Sequence, residues 1–117
     1  MKLPSGVKLL EDTPGTGPEA ERGDVVVCDL RETLSRGDLI GEHTGFEHTL
    51  GSRTIIAGLE YALHGMRAGG YRRVRVSPHL AYRERGVPGK VPENAVIICE
   101  IRVRDVRKRV LPASPTD

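Results

Sequence analysis

The side chain of greatest chemical interest is Tyr82, near the start of a long loop with the sequence SPHLAYRERGVPGKVPENA. Proline and glycine punctuate this loop. A loop of such length in so small a domain is usually functional. The Tyr82 hydroxyl could bind a ligand through a hydrogen bond, although an ordinary surface tyrosine would suit the loop equally well.

Other reactive side chains give weaker signals. Four histidines are scattered without the spacing of a metal site, so we expect neither zinc nor another cofactor. The two cysteines, Cys28 and Cys99, both lie in apolar, strand-like runs. We expect buried, reduced thiols, with a disulfide only if the two strands prove to be neighbours.

Length and composition predict one globular domain. The chain has 117 residues, of which 38% are hydrophobic and 29% charged. We expect a single domain over residues 1–110 and a flexible tail over residues 111–117. No apolar run approaches the roughly 20 residues that cross a bilayer, and the N-terminus lacks a secretory apolar region. These features predict a cytoplasmic protein that does not bind membranes.

The charge distribution argues against a nucleic-acid partner. The formal net charge is only +2, and aromatic residues make up 3% of the chain. The arginines near residues 72–75 and 102–109 alternate with apolar residues, as on the solvated face of a strand. We expect a monomer that binds no nucleic acid.

Alternating polarity predicts about five strands around one helix. The expected strands are Val7–Leu10, Val25–Leu34, Phe46–Leu50, Tyr71–Ser77 and Val96–Val103. Within the second of these segments, one face carries Val26, Cys28, Leu30 and Leu34.

A single apolar stripe predicts a short helix near Ala57–Gly65, and the glycines of Ala68–Gly70 end the segment. So short a helix must lie against a sheet to be stable. The pattern therefore predicts an α+β domain, an antiparallel sheet of about five strands wrapped around one short helix.

Two segments resemble FKBP-type peptidyl-prolyl cis-trans isomerases. IIAGLEYALHGMRAGG is similar to the short helix of that family, and SPHLAYRERGVPGKVPENA is similar to the tyrosine-bearing loop that follows it. The order and spacing of the pieces match throughout. The resemblance implies an FKBP-like half-wound sheet from Gly6 to Val106 and isomerisation of X–Pro peptide bonds.

The resemblance also implies a site. Tyr82 matches the tyrosine whose hydroxyl binds a ligand carbonyl, and Ile56 matches the residue whose backbone N–H binds the next carbonyl. Val87 and Pro88 match the loop tip at the entrance. The implied substrate-binding residues are Leu30, Ile40, Phe46, Ile55, Leu59, Val87, Val91 and Cys99.

The chain departs from the family where aromatic rings would line the pocket. Each exchange keeps the lining apolar but removes ring area. The exchanged positions are Leu30, Ile40, Leu59 and Cys99. Gly41 replaces an aspartate that interacts with the ligand, and either Asp38 or Glu42 could supply the missing carboxylate.

Two functions follow from these features. A dry apolar pocket favours the twisted X–Pro amide, which predicts a prolyl isomerase of reduced activity with weak binding of the family's macrolide inhibitors. The alternative is a non-catalytic module that holds a proline-containing segment of a partner. Ile55, Ile56 and Leu59 taken alone would be apolar in any helix packed on a sheet.

Overall fold

Five strands, one α-helix and one turn of 3₁₀ helix make up the regular structure of the computed structural model, which describes residues 3–83 and 86–109. The strands are β1 (Val7–Thr13), β2 (Val25–Leu34), β3 (Leu39–Thr49), β4 (Tyr71–Val76) and β5 (Ile97–Arg107). The helix α1 (Ala57–Leu63) precedes β4, and the 3₁₀ turn (Pro78–Leu80) follows it. The tail expected at residues 111–117 lies outside the described residues.

The strands form one sheet in the order β1–β4–β5–β2–β3, and every neighbouring pair is antiparallel. Helix α1 packs against β1 and β4. The α+β class and the five-stranded antiparallel sheet predicted from the sequence are thereby confirmed. No helix in the described part of the chain is long and apolar enough to cross a lipid bilayer.

The two central strands follow the predicted alternation. Strand β2 begins and ends where the sequence pattern places it, and its predicted apolar face is buried. On β5 the buried residues are Ile97, Cys99, Ile101 and Val103. Both strands have a neighbouring strand on each side in the sheet. Because successive side chains point to opposite faces, one face of each strand packs on the core while the other meets solvent.

Strand β3 is longer than the sequence predicts. It starts at Leu39, seven residues before the expected Phe46, and reaches Thr49. Its first half is mostly polar and exposed, including Glu42 and His43. Strand β3 lies at an edge of the sheet and is held by backbone hydrogen bonds to β2. The first half of β3 therefore forms although its sequence does not alternate between apolar and polar residues.

Helix α1 approaches the sheet closely because Gly58 has no side chain. A Cβ atom at Gly58 would lie 2.3 Å from Cγ1 of Val76, which is itself fully buried on β4. Leu59, Ala62 and Leu63 fill the rest of the interface. The predicted apolar stripe is therefore the buried face of the helix.

The helix ends at Leu63, before the expected Gly65. The N–H of Gly65 donates to the carbonyl of Ala20 at 2.9 Å instead of continuing the helical ladder, and Gly65 has φ = 80°. Only glycine adopts such a φ without strain. A hydrogen bond across the fold therefore stops the helix earlier than the Ala68–Gly70 segment suggests.

Arg72 corrects the prediction that the arginines of β4 all lie on a solvated face. Its exposed fraction is 8%, and it shares the core face with Val74 and Val76. The guanidinium donates to the carbonyl of Ala62 at 2.9 Å and pairs with Asp12 at 3.1 Å. The alternation of polar and apolar residues along β4 does not predict the burial of Arg72. An arginine can be buried when its guanidinium binds the carbonyl groups at the C-terminal end of a helix.

Both cysteines are buried, and neither forms a disulfide. Strands β2 and β5 are neighbours, but Cys28 pairs with Val103 and Cys99 pairs with Glu32 in their register. Burial, with a smaller contribution from Asp29, raises the pKa of Cys28 to about 11. Burial, followed by the charge of Glu32, also raises the pKa of Cys99.

We expect both thiols to resist iodoacetamide in the native protein at pH 8, because the thiolate is the reactive form. Mass spectrometry should detect no adduct on the native chain within the time that labels both cysteines in guanidinium. Rapid labelling of Cys99 in the native protein would contradict this assignment.

Candidate functional site

The residues predicted to form the site all belong to, or pack against, one apolar cluster. The buried members are Leu30, Ile40, Leu59, Val91 and Cys99. The half-buried members are Phe46, Ile55, Ile56, Tyr82 and Val87. The cluster is also the core of the domain, so membership shows shared packing and does not by itself identify a ligand site.

In the described part of the chain, cavities lie beside some members of this set. One has a volume of about 330 Å³ and is lined in part by Ile40 and Val91. The other has a volume of about 450 Å³ and includes Ile55. Neither of these cavities is lined by Tyr82 or Ile56, so a binding pocket shared by the predicted site residues stays a prediction.

The backbone around Tyr82 is held by a series of turns. The carbonyl of Pro78 accepts hydrogen bonds from the N–H groups of Ala81 at 3.0 Å and Arg83 at 2.7 Å. The carbonyl of Tyr82 accepts one from Gly86 at 3.1 Å. This part of the loop is thus folded back on itself, and the ring of Tyr82 packs half-buried on the apolar cluster.

The Tyr82 hydroxyl has a partner that the sequence analysis missed. It donates a hydrogen bond to Oε2 of Glu32 at 2.7 Å. Burial, then this hydrogen bond and the charge of Glu32, raise the pKa of Tyr82. The hydroxyl therefore stays protonated at neutral pH, and its one proton is directed at the carboxylate.

Glu32 lies on β2, at a position that alternation assigns to the core. Leu30 and Leu34 flank it on the same face, and both are buried. Its cross-strand partner on β3 is Gly41. A Cβ atom at Gly41 would lie 3.8 Å from Oε2 of Glu32, and apart from the two chain neighbours of Gly41 no other atom of the described residues would lie within 4 Å of it. The carboxylate thus occupies space beside the glycine that replaces the family's aspartate.

The two carboxylates considered from the sequence have other surroundings. Asp38 is exposed and pairs with Arg36 in the hairpin between β2 and β3. Glu42 is exposed and lies opposite Arg31. The carboxylate beside Tyr82 is Glu32. The signal that could have found it is a charged residue interrupting the apolar face of a predicted strand.

Ile56 stands at the N-terminal cap of α1. Its carbonyl accepts hydrogen bonds from the N–H groups of Leu59 at 3.1 Å and Glu60 at 3.2 Å. Within residues 3–83 and 86–109, the N–H of Ile56 has no protein acceptor. An N–H at a helix start commonly bonds water or a ligand, so this group can donate to a substrate carbonyl.

A second polar network holds the segment that leads to Ile56. His48 has an exposed fraction of 1%, and its Nε2 lies 2.8 Å from Oε1 of Glu60. The other oxygen of Glu60 accepts a hydrogen bond from the N–H of Gly51 at 3.0 Å. Helix α1, the end of β3 and the loop between them are therefore tied together, which positions Ile55 and Ile56.

The end of the long loop is a tight hairpin. The backbones of Val87 and Val91 bond to each other, at 2.9 Å and 2.7 Å for the two N–H groups. Gly86 precedes the hairpin with φ = 65°, and a Cβ there would lie 2.3 Å from the carbonyl oxygen of Val91. Val91 is buried as a result, while Pro88 at the tip is exposed.

In the described part of the chain, no group of three or more histidine, cysteine, aspartate or glutamate side chains could hold a metal ion. The polar groups that the structure brings to the predicted site are the N–H of Ile56 and the hydroxyl of Tyr82, whose proton is donated to Glu32.

Comparison with known proteins identifies the family of this chain. The model of the family "FKBP-type peptidyl-prolyl cis-trans isomerase" matches residues 17–104. The chain is 33% identical over 115 residues to peptidyl-prolyl cis-trans isomerase FKBP10 of Bos taurus. It is 31% identical over 110 residues to FK506-binding protein 4 of Chaetomium thermophilum, and 28% identical over 110 residues to a 46 kDa FK506-binding nuclear protein of Spodoptera frugiperda.

The alignments cover most of this chain but little of each relative. They span 95%, 92% and 91% of the chain, against 19%, 23% and 27% of the respective relatives. The chain thus spans less than a third of the length of these proteins and corresponds to one of their segments. Because the family model covers most of its length, the chain belongs to the FKBP-type peptidyl-prolyl cis-trans isomerase family.

Proposed function

We propose that this chain catalyses cis-trans isomerisation of X–Pro bonds in unfolded or flexible protein chains, at a lower rate than relatives with an aromatic pocket. The observation that carries the proposal is the half-buried hydroxyl of Tyr82 on an apolar surface that also includes Ile56. Family membership supports the reaction type.

The chemistry requires no nucleophile. Rotation about the amide bond has a barrier of about 18–20 kcal/mol because it breaks resonance between nitrogen and carbonyl. The twisted amide has a less polar carbonyl, so an apolar surface stabilises it relative to the planar ground state. The N–H of Ile56 would donate to a substrate carbonyl and orient the chain around the proline.

The bond between Tyr82 and Glu32 supports the reduced rate. The hydroxyl has a single proton, which it donates to the carboxylate at 2.7 Å. Donation to a substrate carbonyl would require the hydroxyl to turn away from a charged acceptor, and hydrogen bonds to charged groups are among the stronger ones. The replacement of rings by Leu30, Leu59 and Cys99 also removes contact area from the substrate.

A protease-coupled assay with a Leu-Pro peptide tests the proposal. We expect acceleration proportional to protein concentration and above the spontaneous rate. A host isomerase carried through purification is excluded by preparing an inactive variant identically. No acceleration at micromolar protein would overturn the enzymatic function.

We expect Tyr82→Phe to lower kcat/KM about fivefold, since one net hydrogen bond contributes about 1 kcal/mol. The matched control is Tyr71→Phe. The hydroxyl of Tyr71 donates to Oε1 of Glu100 at 3.0 Å, which is the same chemistry away from the predicted site. Tyr71→Phe should leave kcat/KM unchanged, and an equal loss in both variants would argue against a role of Tyr82 in the reaction.

One observation favours a second function, a non-catalytic module that binds a proline-containing segment of a partner. The Tyr82 proton is already engaged by Glu32, which suits a binding surface as well as a slow enzyme. Saturable peptide binding without acceleration in the coupled assay would select this function.

Weak macrolide binding, a monomeric state and a cytoplasmic location also stay predictions. Titration with inhibitor tests the first, sedimentation the second and cell fractionation the third.

A further inference from the structure

Glu32 is a half-buried acidic side chain on the core-facing side of β2, where a carboxylate loses part of its hydration. Leu30 and Leu34, two residues away on either side, are buried. A charge in such surroundings needs hydrogen bonds or an opposite charge to offset its lost hydration. In the part of the chain that the structure describes, the carboxylate has one hydrogen-bond donor, the hydroxyl of Tyr82.

That donor is neutral, so it does not compensate the negative charge of Glu32. Among residues 3–83 and 86–109, no lysine, arginine or histidine lies within ion-pair distance of its carboxylate. Glu100 is a useful contrast. It also accepts from a tyrosine, Tyr71, but Nε of Arg31 lies 3.8 Å from its carboxylate.

Open space borders the carboxylate on the side of Gly41. Among the described residues other than its two chain neighbours, a Cβ atom placed there would meet Oε2 of Glu32 alone within 4 Å. A ligand side chain could therefore reach the carboxylate at this point without displacing the protein. The Tyr82 hydroxyl, which bonds the same oxygen atom, places this space beside the predicted site of isomerisation.

We propose that Glu32 makes the site selective for segments that carry a lysine or arginine immediately before the proline. The inference rests on the proposed function, since it names the substrate class of that site. A cationic head lying over Gly41 would neutralise Glu32 through a charge-assisted hydrogen bond.

The activity arm compares peptides of the form Ala-Xaa-Pro-Phe with lysine, leucine or glutamate as Xaa. We expect kcat/KM to be about tenfold higher for lysine than for leucine, and lower still for glutamate. In Glu32→Gln the ratio of lysine to leucine should fall to about one. Glu100→Gln, the matched control, should keep the parental ratio. High salt should reduce the preference in the parent and in Glu100→Gln, but have no effect on the ratio in Glu32→Gln.

The binding arm measures the Kd of the same peptides by calorimetry and does not require catalysis. It separates the two proposals, because selective binding without acceleration would remove the enzymatic function and keep the selectivity. Equal Kd values for the lysine and leucine peptides would overturn the role of Glu32. The same holds if Glu32→Gln leaves the preference unchanged, or if neither peptide binds.

Discussion

Asp24→Asn is expected to lower the free energy of unfolding by about 2–4 kcal/mol, since the change weakens several charge-assisted hydrogen bonds at once. Asp24 has an exposed fraction of 2% at the start of β2. Its carboxylate accepts from the N–H of Arg109 at 2.7 Å, from the N–H of Glu21 at 2.8 Å, and from Lys108. The residue thus ties the chain beyond β5 to the segment that enters β2.

The effect should depend on pH in a defined direction. Burial raises the pKa of Asp24, but the bonds from Lys108, Arg109 and Glu21 outweigh it and hold the pKa below the ordinary value. A depressed pKa stabilises the fold above the unfolded-state pKa of about 3.9, and this contribution is lost as the pH falls through the folded-state pKa. The parent and the variant should therefore differ most near pH 7 and converge in acid.

Urea unfolding at several pH values measures both effects. The matched control is Asp105→Asn, which changes an exposed aspartate paired with Arg107 at 3.6 Å. A surface pair contributes under about 1 kcal/mol, so this control should unfold close to the parent. An Asp24→Asn variant as stable as Asp105→Asn at pH 7 would contradict the structural role of the buried carboxylate.

Leu59→Ala is expected to lower the free energy of unfolding by about 2–5 kcal/mol, the usual cost of removing a buried leucine and leaving a cavity. Leu59 has an exposed fraction of 3%, on the face of α1 that packs on the sheet. It also stands where the family resemblance implies the pocket floor, so isomerase activity should fall with stability. Leu39→Ala removes the same atoms at a position that is 53% exposed and should cost little.

Thermal unfolding of both variants, with the coupled assay run well below each transition, separates the two consequences. Equal stabilities of Leu59→Ala and Leu39→Ala would contradict the packing of α1 described above.

The burial of Leu59 also determines what we expect of Leu59→Trp. A larger ring has to fit into a filled core, so we expect this change to destabilise the protein unless the helix shifts.

The parts of the fold that could be predicted from sequence are the elements with one buried face, because burial of one face makes apolar residues recur at a regular spacing. The bounds of β2 and the buried face of β5 follow from alternation, because each of these strands has one face on the core. The position of α1 follows from its apolar stripe. The first half of β3 could not be predicted in this way, since an edge strand held by backbone hydrogen bonds needs no apolar pattern.

The candidate site likewise has features that the sequence predicts and features that it does not. The apolar residues of the predicted site belong to the core cluster or pack on it, and resemblance plus hydrophobicity suffices to select them. The bond from Tyr82 to Glu32 joins residues 50 positions apart in sequence, and it depends on how the loop after β4 folds back over β2. The burial of Arg72 depends similarly on where α1 ends. Contacts of this kind become visible only once the register and the loop path are known.

Exchange spectroscopy by NMR on a Leu-Pro peptide tests the central claim most directly, because it observes cis-trans interconversion without a coupling protease. Uncatalysed exchange takes tens to hundreds of seconds. With catalytic amounts of the protein, we predict cross-peaks between the cis and trans signals at mixing times below a second, reduced in Tyr82→Phe and retained in Tyr71→Phe. Exchange that stays at the uncatalysed rate, even with equimolar protein, would contradict the proposal that this chain is a prolyl isomerase.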